Sequence, residues 1–215
     1  MANSGTEIAD FGLPLIIYQP ANAISPKMIV MLSGDGGWLG FNDTLAAVYA
    51  RKGYHVIGFN SRTYFWHQKD PDQATTDFVK LIRKYGSEWK IKRIVLSGYS
   101  FGADVVPFIY NRLPDDLKLK VSKIQLLSPY LSTDFKVRIT DLFTNGEDNR
   151  TFKVKDEVEK LTIPIICFYG EAEKPKPLAD LKMANFFIKI LPGDHHYQNS
   201  YHQIVSSVSN KHLNK

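Results

Sequence analysis

Met28 to Leu32 is a run of apolar residues with no polar interruption. Alternate side chains of a strand face opposite sides of a sheet, so such a run needs cover on both faces. Helices packed on both sides of a mainly parallel sheet supply that cover. The rest of the chain repeats the pattern. Leu13–Tyr18, His55–Phe59, Ile94–Leu96, Val121–Leu127, Ile163–Tyr169 and Phe186–Leu191 read as further strands. Helical stretches lie between them. One runs from Asn42, a candidate cap, to about Lys52 and is closed by Gly53. Another starts at Asp70-Pro71 and carries Ala74, Phe78, Leu81, Ile82 and Tyr85 at helical spacing. A third ends near Leu113, and a last one spans Tyr201–Ser209. The alternation predicts an α/β fold with a mainly parallel sheet flanked by helices. Pro129 to Lys155 has no clear period and is left unassigned.

The 215 residues suffice for one domain with a sizeable core, and no linker or repeat divides them, so a single domain over 1–215 is expected. Apolar residues make up 44% and charged residues 23%, an ordinary globular mixture. No apolar run reaches the roughly 18 residues of a membrane-spanning helix. Met1-Ala2-Asn3-Ser4-Gly5 is polar and lacks the basic-then-apolar order of a secretory signal. A cytoplasmic protein, or a chain whose signal has been removed, fits that beginning. The net charge of +5 permits peripheral contact with an anionic membrane surface. Nucleic acid is not expected as a partner, because Lys and Arg are spread along the chain and no zinc-ligand spacing occurs. Cys167 lies inside an apolar strand and reads as a core residue.

Chemistry concentrates at Gly98-Tyr99-Ser100-Phe101-Gly102. An apolar strand precedes this block and an apolar-faced helix follows it. A serine nucleophile must stand clear of the backbone on such a strand-to-helix turn, and the flanking glycines make room for the turn. Ser100 then needs a base. His55 and His67 precede the serine, and His202 and His212 fall in or after the last helix. His195 and His196 lie just past the last predicted strand, where the base of this arrangement belongs. His195 is the first choice and His196 the alternative. The orienting acid belongs after the preceding strand. Glu173, three residues past Gly170, is the first choice there and Glu171 the fallback.

An oxyanion also needs donors. The backbone N–H of Phe101 supplies one. The loop Ser33-Gly34-Asp35-Gly36-Gly37-Trp38 supplies the other, with Asp35 N–H first and Gly36 N–H second. That loop is neither a dinucleotide fingerprint, since position 39 is Leu39, nor a P-loop, since no Gly-Lys-Ser/Thr follows. No cofactor or metal is called for. Tyr64 and Trp66, beside Phe65, and Trp38 are candidates for lining a substrate pocket. Asp104, one turn beyond Ser100, is a candidate pocket or helix-support residue.

These blocks, with Asn111-Arg112-Leu113-Pro114 and Pro192-Gly193-Asp194-His195-His196-Tyr197, resemble in order the bacterial virulence protein family VirJ/AcvB. The resemblance runs over nearly the whole chain. It implies a minimal α/β-hydrolase without a large cap, usually periplasmic. It also implies a link either to hydrolysis of aminoacylated phosphatidylglycerol, notably the lysyl form, or to type IV secretion proteins and virulence. Ser100, a carboxylate after Gly170 and a histidine of the 195–196 pair match the family's functional positions. The last motif commonly reads G-G-H-H-F; here Asp194 and Tyr197 stand in for the second glycine and the phenylalanine. A lysyl ester carries ammonium groups, so Asp35 or Asp104 is expected to meet a cationic head group.

The leading expectation is a serine esterase acting on a small-molecule or lipid ester. The alternatives are a non-catalytic periplasmic adaptor on a hydrolase scaffold and a thioesterase or general carboxylesterase on the same machinery.

Overall fold

A computed structural model describes residues 5–21, 25–137 and 150–209. Most of the N-terminal pentapeptide, His212 and the middle of the unassigned stretch lie outside the described residues. The chain runs β1 (Thr6–Asp10), β2 (Leu13–Tyr18), β3 (Lys27–Leu32), α1 (Gly40–Arg51), β4 (His55–Phe59), a short α2 (Ser61–Tyr64) and α3 (Pro71–Glu88). It continues with β5 (Arg93–Tyr99), α4 (Phe101–Arg112), a short α5 (Asp115–Lys118), β6 (Val121–Leu127), and two brief strands, β7 (Ser132–Thr133) and β8 (Phe152–Lys153). Then follow α6 (Val154–Glu159), β9 (Ile165–Gly170), β10 (Phe186–Leu191) and α7 (Tyr201–Ser209).

Eight strands form one sheet in the order β1-β2-β4-β3-β5-β6-β9-β10. The β1–β2 and β2–β4 pairs are antiparallel, and every pair from β4 onward is parallel. Parallel strands end at one common edge, so the loops after β3, β5, β6, β9 and β10 gather there. Helices cover both faces. Phe78 and Leu81 of α3, Val105 and Phe108 of α4, and Val158 of α6 pack on one side. Leu45 and Val48 of α1, with Ile204 and Val205 of α7, pack on the other. This three-layer, mainly parallel arrangement without a large cap is the fold the apolar runs require.

Two local expectations change. The first residue before α1 is Leu39, and no side chain caps that helix. Asn42 instead turns its Nδ2 onto the carbonyl of Gly37 at 3.3 Å and is buried. Asp70 does cap α3, accepting from Gln73 N–H at 2.8 Å, with Pro71 in the first turn. The unassigned stretch contains β7, β8 and the first two residues of α6. The strand β1 hides from periodicity because its side chains are almost all exposed. Among the described residues, no helix is long and apolar enough to cross a membrane.

Candidate active site

Ser100 occupies the bend between β5 and α4 with φ 53° and ψ −121°, a left-handed φ that a side chain adopts only under constraint. The constraint comes from both flanks. A β-carbon on Gly98 would stand 2.3 Å from the carbonyl oxygen of Gly102. One on Gly102 would stand 2.6 Å from the carbonyl oxygens of Leu32 and Ser33. The bend closes only because neither residue has a side chain. Ser100 N–H donates to Leu127 O at 2.7 Å, which ties the bend to the end of β6. The serine keeps 8% of its surface exposed.

Phe101 opens α4, so its N–H is one of the donors a helix start leaves without an intrahelical partner. The loop after β3 lies against the serine, because a β-carbon on Gly34 would be 3.3 Å from Ser100 Cβ. Gly37 N–H closes a tight turn onto Gly34 O at 3.1 Å and leaves Asp35 and Gly36 at its corner. Ser33 Oγ accepts from Ser61 N–H at 3.0 Å and anchors this loop to α2.

His195 and Glu173 meet across the same edge. His195 Nδ1 lies 2.7 Å from Glu173 Oε1. A carboxylate only accepts, so Nδ1 carries the hydrogen and the neutral ring keeps its lone pair on Nε2. Glu173 Oε2 accepts from Gly170 N–H and from Ser128 Oγ, each at 2.8 Å. Burial pushes the Glu173 carboxyl up, but the hydrogen bonds from His195, Gly170 and Ser128 outweigh it and hold it below the usual range. Tyr99, next to the serine, leans its ring on His195 with centroids 5.1 Å apart and donates its hydroxyl to His195 O at 3.2 Å.

The other sequence candidates separate. His196 has 70% of its side chain exposed, and its ring faces Asp194 at 3.5 Å. The alternative base therefore lacks the link to Glu173. Glu171 is exposed, and its backbone, not its carboxylate, joins the loop, by donating to Leu191 O at 2.8 Å. Asp104 is buried, and its Oδ1 accepts from Tyr130 N–H at 2.6 Å. Asp35 is half-buried at the loop corner. Tyr64 points into the core and gives its hydroxyl to Asp77 Oδ2 at 2.8 Å. Trp38 fills the space over Gly58 and donates Nε1 to Tyr18 OH at 3.0 Å. The polar tips of Tyr64 and Trp38 are thus both engaged within the protein. Trp66 remains 45% exposed.

Three residues near the site escaped sequence reasoning. Ser128 and Tyr197 lie behind Glu173, and Tyr130 faces His195 with centroids 6.5 Å apart. The one available signal was Ser128-Pro129 closing β6 at the edge where Gly98 and Gly170 close their strands. Among the described residues, no group of His, Cys, Asp and Glu could hold a metal ion.

Comparison with known proteins follows the same lines. Est1E from Butyrivibrio proteoclasticus superposes with a TM-score of 0.66 at 16% identity, covering 95% of this chain and 96% of that one. An alpha-beta serine hydrolase homologue from Coxiella burnetii gives 0.63 at 15% identity, covering 97% and 96%. The thioesterase domain from the curacin biosynthetic pathway gives 0.63 at 13% identity, covering 98% and 100%. At these identities the likeness establishes the α/β-hydrolase fold. No curated protein sequence matches the chain. The profile of the bacterial virulence protein (VirJ) family matches residues 26–214, a span holding every element from β3 to α7, and the chain belongs to that family.

Proposed function

We propose that this protein is a serine ester hydrolase with Ser100 as nucleophile, His195 as base and Glu173 as the orienting acid. The supporting observation is the 2.7 Å contact of His195 Nδ1 with Glu173 at the strand edge that carries the strained Ser100. Ser100 Oγ attacks the ester carbonyl carbon while His195 Nε2 takes its proton. The oxyanion so formed is met by the N–H of Phe101 and by that of Asp35, or of Gly36 as second choice. Collapse returns the proton to the leaving alcohol and leaves an acyl-enzyme. Water, deprotonated by His195, then releases the acid.

The proposed substrate is an aminoacylated phospholipid of the lysyl-phosphatidylglycerol type in the bacterial envelope. This rests on membership of a virulence family and on the acidic residues beside the bend. It carries with it a periplasmic location, contact with a membrane surface and association with secretion-system proteins. Asp35 is the better placed to meet an ammonium group, because Asp104 is buried and holds Tyr130 N–H. The likeness to a thioesterase domain favours acyl thioesters as the second substrate class.

A fluorophosphonate probe tests the nucleophile. It should label the wild type and leave Ser100→Ala unlabelled; equal labelling of both removes Ser100 from the reaction. A screen of aminoacyl-phosphatidylglycerols, p-nitrophenyl esters and acyl thioesters then fixes the class. In it, His195→Ala should lose about 10³-fold or more in kcat/KM, whereas His196→Ala should stay within about tenfold. Selectivity for aminoacylated over plain lipid should fall in Asp35→Asn. If neither Asp35→Asn nor Asp104→Asn changes it, the cation contact is wrong.

A further inference from the structure

Glu173 is held from behind as well as from the front. Ser128 Oγ lies 2.8 Å from Glu173 Oε2 and forms a short hydrogen bond with the hydroxyl of Tyr197. Ser128 has one hydroxyl proton and two oxygen neighbours. The ionised carboxylate has no proton to give, so Ser128 donates to Glu173. The Ser128–Tyr197 bond must then be donated by the phenol. The phenol's other acceptor, Phe168 O, is farther away at 3.4 Å. Burial pushes the Tyr197 phenol up, which keeps its proton in place. Proton counting thus fixes one direction along the row: Tyr197 to Ser128, Ser128 to Glu173, and His195 to Glu173 from the other side.

The backbone is bent to build this row. Ser128 and Tyr197 adopt left-handed φ values of 53° and 58°, though neither is glycine. Ser128 N–H is pinned to Phe168 O at 2.9 Å, and Tyr197 N–H to Asp194 O at 3.0 Å. Both side chains are buried. Strain of this kind persists where the surroundings demand it.

We infer that Ser128 and Tyr197 are positioning residues, a directed hydroxyl relay that fixes the charge and orientation of Glu173 and, through it, the hydrogen on His195 Nδ1. The inference rests on the reading of Glu173 as the orienting acid. Other ionisable groups surround the pair. Tyr99 on β5, Tyr130 beyond β6 and Cys167 on β9 face it and stay neutral, because burial raises all three. Lys176 spends its ammonium on the carbonyls of Glu171 and Glu173, and Asp194 pairs with His196. Ser128 is the hydroxyl that reaches the carboxylate.

Stripping a donor from the carboxylate concentrates its charge toward His195, so the Glu173–His195 pair should take up its proton at higher pH. Ser128→Gly removes the hydroxyl and suits the left-handed φ, so it spares the fold; Ser128→Ala removes it at the same backbone cost. Tyr197→Phe keeps the ring. The titration is read on the His195 ring by proton–carbon NMR, independently of any substrate. Both Ser128 variants should move the midpoint up, by less than the full worth of one hydrogen bond to a charged group, because Glu173 is ionised on both sides of the transition. Tyr197→Phe should move it the same way by less. An unmoved midpoint in Ser128→Gly and Ser128→Ala, with near-native Tm, overturns the relay. Fluorophosphonate labelling of the wild type, measured alongside, separates that outcome from failure of the hydrolase reading. A moved midpoint without labelling would leave the relay standing and remove the catalysis.

Discussion

Asp104 is the residue whose burial has the clearest thermodynamic consequence. Burial raises its carboxyl well above the ordinary range and Asp35 adds to this, while Tyr130 N–H and Arg150 pull it back. The folded carboxyl therefore keeps its proton to higher pH than the unfolded one does. Below about pH 4 both states are protonated and the residue exerts no pH-dependent pull. As pH rises, the unfolded chain ionises first and stability is lost until the folded group ionises too. Asp104→Asn preserves an acceptor for Tyr130 N–H at the observed 2.6 Å and removes the titration. Denaturation followed across pH should show the variant matching the wild type near pH 4. It should be more stable at pH 7, by at least about 2 °C in Tm, a fraction of a kcal/mol for a chain of this size. A constant offset at all pH values would mean that Asp104 is ionised in the folded protein.

Elements carry the next level of constraint, and the glycines show it most directly. Gly98 has no room, since its β-carbon would meet Gly102 O at 2.3 Å, whereas Gly86 in α3 has nothing within 4 Å. Gly98→Ala must force apart the two halves of the bend and should cost about 2–4 kcal/mol, read by chemical denaturation. Gly86→Ala should stabilise by about 0.5–1 kcal/mol through helix propensity and unfolded-chain entropy. The same contrast explains what the sequence makes legible. Strands β2, β4, β6 and β10 and helix α7 fall on their predicted bounds. In β2, β4, β6 and α7 buried apolar runs and amphipathic period report burial directly, whereas β10 is buried only at its two ends and is legible from its apolar composition. The bend at Ser100 is legible because steric exclusion demands glycine. By contrast, β1 is held by backbone pairing to β2 with hardly any buried side chain, so nothing in its composition announces it. Ser128 and Tyr197 are invisible for another reason. Their left-handed φ values arise from tertiary contacts, and serine and tyrosine carry no signature of that. For Trp38 and Tyr64 the sequence cannot separate the two readings, because an aromatic residue next to a functional loop has the same composition whether it faces substrate or core.

At the scale of the molecule, two carboxylates held below their ordinary range lie toward opposite ends of α4. Glu173 sits at the Ser100 end. Glu157 sits at the other, accepting from Asn111 Nδ2 at 2.7 Å, from Lys160 Nζ at 2.7 Å and from Arg112 at 3.3 Å. Asn111 is 11 residues beyond Ser100, about 16 Å along the helix, so the clusters act independently. In both, burial pushes the carboxyl up and the hydrogen bonds and cations overcome it, leaving each below its ordinary range. A depressed carboxyl contributes stability that is present above the unfolded value of about 4.3 and is lost as pH falls through the folded value. Urea denaturation between pH 7 and pH 3 should therefore show a steep acid loss that Glu157→Gln and Glu173→Gln each flatten. The two variants must differ in function. Glu157→Gln should keep wild-type probe labelling, since its cluster touches only the far end of the helix. Glu173→Gln should label far more slowly, because a neutral amide neither stabilises the imidazolium nor fixes which ring nitrogen carries the hydrogen. Equal labelling by the two variants would show that the charge next to His195 serves the fold and not the chemistry.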